Sequence, residues 1–388
     1  MSEKTPPAAT LREKIVADLT AHIKSNALPL GTRLPSLTAL AEKYGVSRIT
    51  AIAAVKELVN AGLLVSRPRS GIFVASVGLS PPQSDRNVIA IIVTAVLNPF
   101  YASIIHGAEE QCHQRGYRLV IASSNNEAKR EADKISELID HVAGFLIAPV
   151  TGAGNYSAYT PLLERDIPFV FVDRYLDKLS VPVVTTDNEE GGYEATRHLL
   201  ETGRKRIFVL TGSTATSTTE RIAGYRRALK ARKIIFDPAL VCCYPHKDLV
   251  DEKVGYLLTR QILQSGAAEE PFGIFALNSG FASGAYVALK DAGLRIPEDV
   301  AIVGFDDLYA EHMAPLLTTV RTDLMEIGSK AVELLFALME GTPNVPQAVR
   351  LPPTLIVRNS SVVGSGFSLA RAYSRQADIP HPLLELTS

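Results

Sequence analysis

Two architectures share this 388-residue chain: a small winged helix-turn-helix of α+β type at the N-terminus and, behind it, an α/β region of two Rossmann-like lobes. Three observations predict them. A helix, a turn, a second helix and a basic hairpin follow one another within residues 34–74. An aperiodic stretch with two consecutive prolines, Ser76 to Arg86, then divides the chain as a linker. From Val88 to Val303, β-type and helix-type segments alternate, which argues for parallel doubly wound sheets.

The N-terminal elements follow from local chemistry. Ser36 is placed to cap a helix whose apolar positions Leu37, Leu40, Ala41 and Tyr44 recur at helical spacing, and Gly45 ends it. After the turn Gly45-Val46, Ser47 can cap a second helix running to about Ala61, which buries Val55, Leu58 and Val59 against the first. Ser47, Arg48 and Thr50 are then left at its exposed start, where a recognition helix touches DNA. The runs Leu63-Leu64-Val65 and Ile72-Phe73-Val74 flank the basic turn Ser66 to Gly71, a β-hairpin wing that offers cations to a phosphate backbone. The expected DNA contacts are Ser36, Thr38, Ser47, Arg48, Thr50, Arg67, Arg69, Ser70 and Gly71.

Charge is distributed to match. Residues 1–84 carry ten Lys+Arg against five Asp+Glu and the remainder 30 against 36, so the net charge of −1 divides into +5 and −6. The positive half lies where DNA would be. No apolar run approaches a membrane span, and Met1 to Pro7 lacks the apolar core of a signal peptide, so a cytoplasmic location is expected. Cys112, Cys242 and Cys243 form no disulfide framework; Cys242 and Cys243 sit in the apolar run Leu240 to Tyr244, read as a buried strand with inert thiols. The eight histidines show no metal-ligand spacing, and neither a metal site nor a cofactor is expected.

In the second region, strands are expected at Val88–Val93, Arg118–Ala122, Gly144–Ile147, Pro168–Val172, Arg206–Leu210, Gly273–Ala276 and Val300–Val303. Helices are expected at Phe100–Arg115, Glu131–His141 and about 191–202, 221–231, 251–265 and 281–292. These units are too many for one ordinary sheet, hence two lobes. Ligands of open α/β sheets bind at strand ends and the loops that follow. Those positions hold Asn98-Pro99-Phe100-Tyr101, Asp173-Arg174, Thr186 to Gly192, Arg221 after the polar loop Gly212 to Thr219, Asn278, and Gly304-Phe305-Asp306-Asp307. Aromatic rings, carboxylates, an amide and arginines suit a polyhydroxylated ligand, whose C–H faces the rings cover and whose hydroxyls the planar polar groups satisfy in pairs.

Residues 11–75 resemble the GntR-type winged helix: a leading helix with Leu11, Ile15, Leu19 and Ile23, then Leu30-Gly31, Leu34-Pro35-Ser36 and Gly45-Val46-Ser47-Arg48. Thr38, Ile52 and Arg69-Ser70-Gly71-Ile72 depart from the family pattern, so its operator sequence does not carry over. From Arg86 to about Val363 the chain is similar to the effector domain of the lactose/galactose repressor family, itself like a periplasmic sugar-binding protein. The resemblance is carried by Asn98-Pro99-Phe100, Val172-Asp173-Arg174, Asp187-Asn188 with Gly191-Gly192, Arg221 with Gly224-Tyr225, Pro297 to Val300, Gly304 to Asp307, Pro315 to Val320, and Leu351-Pro352-Pro353 with Arg358. The pairing resembles arabinose-repressor-type regulators.

The resemblance implies that Phe100 and Tyr101 border the effector, that Arg221, Asn278 and Asp306 hydrogen-bond its hydroxyls, and that Asp173 and Arg174 line the same cleft. Asn278-Ser279 stands where the family commonly has Asn-Asp. It implies three crossings between lobes, near Asp187, Val320 and Pro352. The organisation is then 1–75 winged helix, 76–86 linker, 87–363 effector and dimerisation domain (lobes 87–187 with 321–352, and 188–320 with 353–363), and 364–388 a tail expected to be mostly disordered or loosely docked. The implied function is a homodimeric repressor of operator DNA switched by a carbohydrate-like effector, not an enzyme. A transaminase-like regulator and a transport binding protein are the alternatives; no nucleophile arrangement supports the first, and a winged helix argues against the second.

Overall fold

The computed structural model describes residues 11–25, 28, 31–60, 63–67, 71–74, 87–151, 155–212, 215–244, 251–266 and 270–362. The linker 76–86 and the tail 364–388 therefore lie outside the described residues. The chain divides into two compact units, Met1–Asn87 and Val88–Ser388.

The first unit contains α1 (Leu11–Lys24), α2 (Leu37–Tyr44), α3 (Arg48–Asn60) and an antiparallel hairpin, β1 (Leu64–Arg67) with β2 (Gly71–Val74). Ile15, Leu19 and Ile23 of α1 meet Leu40, Ala54, Leu58, Leu64 and Val74 in one buried cluster. The side chain of Ser36 accepts from Ala39 N at 3.2 Å and caps α2. Gly45 ends it in the left-handed conformation, φ 62°, which glycine adopts without steric cost.

The second unit holds two six-stranded sheets. The first has the order β13 (Ala348–Leu351), β7 (Val183–Thr186), β6 (Phe169–Val172), β5 (Gly144–Ile147), β3 (Val88–Val93), β4 (Arg118–Ser123), parallel throughout. The second runs β14 (Thr354–Ile356), β12 (Thr318–Arg321), β11 (Val300–Phe305), β10 (Phe272–Ala276), β8 (Ile207–Thr211), β9 (Val241–Cys243), with only β14 antiparallel. Helices α4 (Pro99–Gln114), α5 (Ala128–Leu138), α6 (Thr160–Glu164) and α11 (Leu324–Met339) serve the first lobe. Helices α7 (Asn188–Glu201), α8 (Thr216–Ala231), α9 (Asp251–Gln264) and α10 (Ser279–Asp291) serve the second. Central strands such as β3, β5 and β10 are buried along their length, as parallel strands covered on both faces must be. The two-lobed α/β class matches the expectation. The chain passes from one sheet to the other between β7 and α7, between β12 and α11, and between β13 and β14.

Several elements were not read from the sequence: β7, β12, β13, β14 and α11. Each of these strands has only three or four residues. Two expectations need correction. The polar loop Gly212 to Thr219 is shorter than expected, because α8 begins at Thr216. There Thr219 Oγ1 bonds back to Ala215 O at 3.2 Å, so hydroxyls that compete for backbone groups are absorbed into the first turn. The run Leu240 to Tyr244 is not a buried strand. β9 is an edge strand paired only with β8, leaving Cys242 half-buried and Cys243 exposed, while Cys112 is fully buried.

Candidate functional site

In the first unit, Ser47 Oγ accepts from Thr50 N at 3.2 Å and lies 2.8 Å from Thr50 Oγ1, closing the start of α3. Arg48 is exposed at the first helical position, and Thr38 is exposed on α2. Ile49 and Ile52, with 79% and 42% of their surface open, flank Arg48 on the same helix end. Gly71 opens β2 at φ 113°, and an added Cβ would come within 2.9 Å of Arg33 Nε, so a further exposed cation stands at the wing. Sequence reasoning missed Arg33 because it precedes α2 and pairs with Phe73 only through the fold. Arg67 contributes its backbone to β1; its side chain, Arg69 and Ser70 lie outside the described residues.

In the first lobe of the second unit, Asn98 caps α4 through Phe100 N at 3.0 Å. Phe100 and Tyr101, both buried, then meet edge to face with ring centroids 5.1 Å apart. Tyr101 OH donates to Asp173 Oδ2 at 2.9 Å, and Arg174 donates from Nη2 to Tyr101 OH at 3.0 Å and from Nε to Asp173 Oδ2 at 3.1 Å. Asp173 lies at φ 66°, a sparsely populated region that Asp tolerates and that turns the chain sharply off the end of β6.

The second lobe repeats the device at the end of β11, where Asp306 lies at φ 79° and Asp307 at φ 54°. Arg221 on α8 is the hub. Its guanidinium carbon sits 3.5 Å from the centroid of the Phe305 ring; Nε donates to Asn188 Oδ1 at 2.8 Å, Nη1 to Leu277 O, and Nη2 to Asp306 Oδ1 at 3.2 Å. Close helix packing places it: a Cβ on Gly192 of α7 would fall 2.1 Å from Arg221 O, so only glycine lets α8 approach. Asn278 caps α10 through Phe281 N at 2.9 Å, and its amide donates to Asp251 Oδ2 at 2.9 Å.

Burial governs the electrostatics. It pushes the Asp306 carboxyl up to about 6; Arg221 opposes the rise, and the charges of Asp173 and Asp251 add to it. Asp251 is raised for the same first reason, with the Asn278 bond opposing. The Tyr101 hydroxyl is driven well above the usual phenol range, again by burial first. At Arg174, burial works against the charge, but Tyr101 and Asp173 outweigh it and hold the guanidinium protonated.

A cavity of about 530 Å³ opens beside Asp306, with Ser103, Arg321, Thr322, Leu324 and Pro352 among its walls. Of the residues expected at the effector, only Asp306 lines it. Thr322 Oγ1 is buried there with no hydrogen-bond partner among the described residues. Asn188 and Phe305 fell within strand-end segments named from the sequence but were given no role there, and Asp251 was not named at all. Asp251 gave no signal of its own; its link to Asn278 spans 27 residues. Asp307 turns away from Asp306 toward Arg358, whose Nη1 donates to Asp307 Oδ1 at 2.7 Å.

Residues 11–74 match the model of the gntR family of bacterial regulatory proteins, and residues 196–361 that of a periplasmic binding protein-like domain. The arabinose metabolism transcriptional repressor of Geobacillus stearothermophilus is 30% identical over 370 residues, covering 93% of this chain and 99% of the relative. This chain belongs to the gntR family of regulators that carry a periplasmic binding protein-like domain. The ribose operon repressor of Haemophilus influenzae is 30% identical over 279 residues, 71% of this regulator and 81% of the relative. Among solved structures, a LacI family transcriptional regulator from Enterococcus faecium with bound ribose superimposes with a TM-score of 0.61 at 28% identity, covering 71% of this regulator and 98% of that chain. The regulator is thus a DNA-binding transcription factor with an effector-type domain. Among the described residues, no helix is long and apolar enough to cross a membrane.

Proposed function

We propose that this regulator is a cytoplasmic, homodimeric repressor whose affinity for operator DNA is switched by a sugar or sugar derivative held between the two lobes. The observation that carries the reading is that Asp306, just past β11, feels the charges of Arg221 on α8, of Asp251 at the start of α9 and of Asp173 just past β6 in the other lobe, with Asn278 bonded to Asp251 and Arg174 to Asp173. Arg221 and Arg174 already satisfy carboxylates within the protein, so the cleft offers a phosphate no free cation among these groups, and a hydroxylated ligand fits better. The names of the arabinose and ribose repressors and the ribose-bound neighbour support the same class. A dimer would set two recognition helices on a palindromic site, with Arg48 reading base edges and Arg33, Arg67 and Arg69 on the backbone. Ser36, Thr38, Ser47, Thr50, Ser70 and Gly71 complete the proposed DNA surface. Exposed Ile49 and Ile52 suit thymine methyl groups.

Catalysis forms no part of this reading: Asp306 and Asp307 are committed to different arginines and do not act as a carboxylate pair. The test is a thermal-shift panel of free sugars, polyols and sugar phosphates on the full chain, followed by DNA binding with the compound that shifts it most. Asp306→Ala and Arg221→Ala should each lose the ligand response yet bind the selected DNA as wild type does. A response like wild type in either variant, or sugar phosphates alone stabilising the protein, would overturn it.

A further inference from the structure

The carboxylate of Glu220, next to Arg221 on α8, is used by three partners from both lobes. Tyr175 OH donates to Oε1 at 2.9 Å and Arg350 Nη2 to the same oxygen at 2.8 Å, both from the first lobe; Asn188 Nδ2, in the second, donates to Oε2 at 3.2 Å. A second bond lies beside it: Tyr175 N donates to Thr216 Oγ1 at 3.1 Å, again across the cleft. Asn188 is the first residue after the chain passes from β7 into the second lobe, and Arg350 lies on β13 just before it passes to β14. The amide of Asn188 holds both glutamate and arginine, because its Oδ1 accepts from Arg221 Nε at 2.8 Å. A continuous chain of bonds therefore runs Asp306, Arg221, Asn188, Glu220, Arg350.

We propose that Glu220 is a positioning residue: a cross-lobe latch that holds the closed cleft and ties closure to the arginine at the effector site. When the lobes part, Tyr175 and Arg350 travel with the first sheet while Thr216, Glu220, Asn188 and Arg221 stay with the second, so the bonds to Tyr175 and Arg350 break and the Arg221 cluster stays intact. An effector that draws on Asp306 or Arg221 shifts the hub that orients Asn188, and Asn188 orients the latch. A ligand can switch the protein only through such a difference between its states. The inference rests on the proposed effector cleft.

Hydrogen exchange on the full chain without any small molecule tests the latch separately from the ligand. The amide of Tyr175 reports directly, since its acceptor lies in the other lobe. Arg350→Met and Glu220→Gln should raise its exchange about five- to tenfold, the equivalent of one hydrogen bond of about 1 kcal/mol. Exchange within β3 and β10 should stay as in wild type, the double variant should add little to either single one, and Arg350→Lys should restore part of the protection. Unchanged exchange at Tyr175 in both single variants overturns the proposal. So does a rise spread equally over β3 and β10 in Arg350→Met that recurs in Glu220→Gln and is not relieved by lysine, which would mark a general packing role. If the latch passes this test and no sugar binds, the effector reading fails and the latch stands.

Discussion

Replacing Arg221 with methionine separates the charge of the hub from its packing. Methionine can lie over Phe305 as the guanidinium does, but it leaves Asp306 without its cation and Leu277 O and Asn188 Oδ1 without a donor. In the wild-type protein the carboxyl of Asp306 is pushed up to about 6 from 3.8. A carboxyl raised by folding binds more protons folded than unfolded. Its contribution to stability therefore falls as pH rises from about 4 and levels off above pH 6. Without Arg221 the carboxyl titrates higher still, and the decline continues above pH 6. Each further unit of rise adds about 1.4 kcal/mol of loss at pH 8, and almost none at pH 5.5, where wild-type Asp306 is already mostly neutral. The two orphaned acceptors add about 1–3 kcal/mol at both pH values. Denaturant unfolding of wild type and Arg221→Met at pH 5.5 and pH 8, followed by far-ultraviolet circular dichroism, measures the difference. An equal loss at the two pH values would refute the electrostatic part of the argument, and no loss at either would refute the hub.

Arg48→Ala should weaken binding to the selected operator by about 1–3 kcal/mol while leaving random DNA nearly unaffected, read by fluorescence anisotropy at fixed salt. Uracil in place of thymine at the operator positions nearest α3 should weaken wild-type binding and leave Ile52→Ala indifferent; equal sensitivity in both proteins would remove Ile52 from base reading. Alanine at Arg67 or Arg69 should weaken operator and random DNA alike and lower the salt slope by about one unit each, so slopes equal to wild type would take those cations off the backbone.

The winged unit was legible because each of its signals is local. Ser36, Gly45 and the apolar spacing of α2 act within one or two turns, and the structure keeps each where the residues place it. The long parallel strands were equally plain, since β3 and β11 are apolar along their length and β8 is apolar up to Leu210. The missed strands β7, β12, β13 and β14 are three or four residues long and lie at the crossings, where β13 pairs with β7 across 165 residues of sequence. No periodicity can develop over so short a run, and the ladder that stabilises it comes from elsewhere in the chain. Thr216 to Thr219 failed differently. Its β-branched and hydroxyl residues favour a loop, but Thr219 Oγ1 is absorbed by the local bond to Ala215 O and Thr216 Oγ1 by a tertiary bond to Tyr175 O.

At the cleft, the sequence displayed the chemistry of single residues and concealed their commitments. Arg221, Asp306 and Asn278 stood out as strand-end polar groups, yet nothing in the chain order says that Arg221 is held by Asn188, or that Asn278 faces Asp251. Those pairings decide what the groups can do. A guanidinium with Asp306 beside it and Asn188 behind it is not a free anion site, because its charge and its donors are already taken up within the protein. Ser279 shows the same point from the opposite side. The carboxylate expected beside Asn278 is missing from the sequence position, but Asp251 of α9 supplies one to the Asn278 amide from another element. Ser279 Oγ instead donates to Phe305 O at 2.8 Å and accepts from Leu308 N at 3.0 Å, bracing the loop that carries Asp306. The cleft thus keeps its acidic character while distributing its parts differently over the fold, and the acidic residue that matters beside Asn278 is the one that no adjacent motif could have revealed.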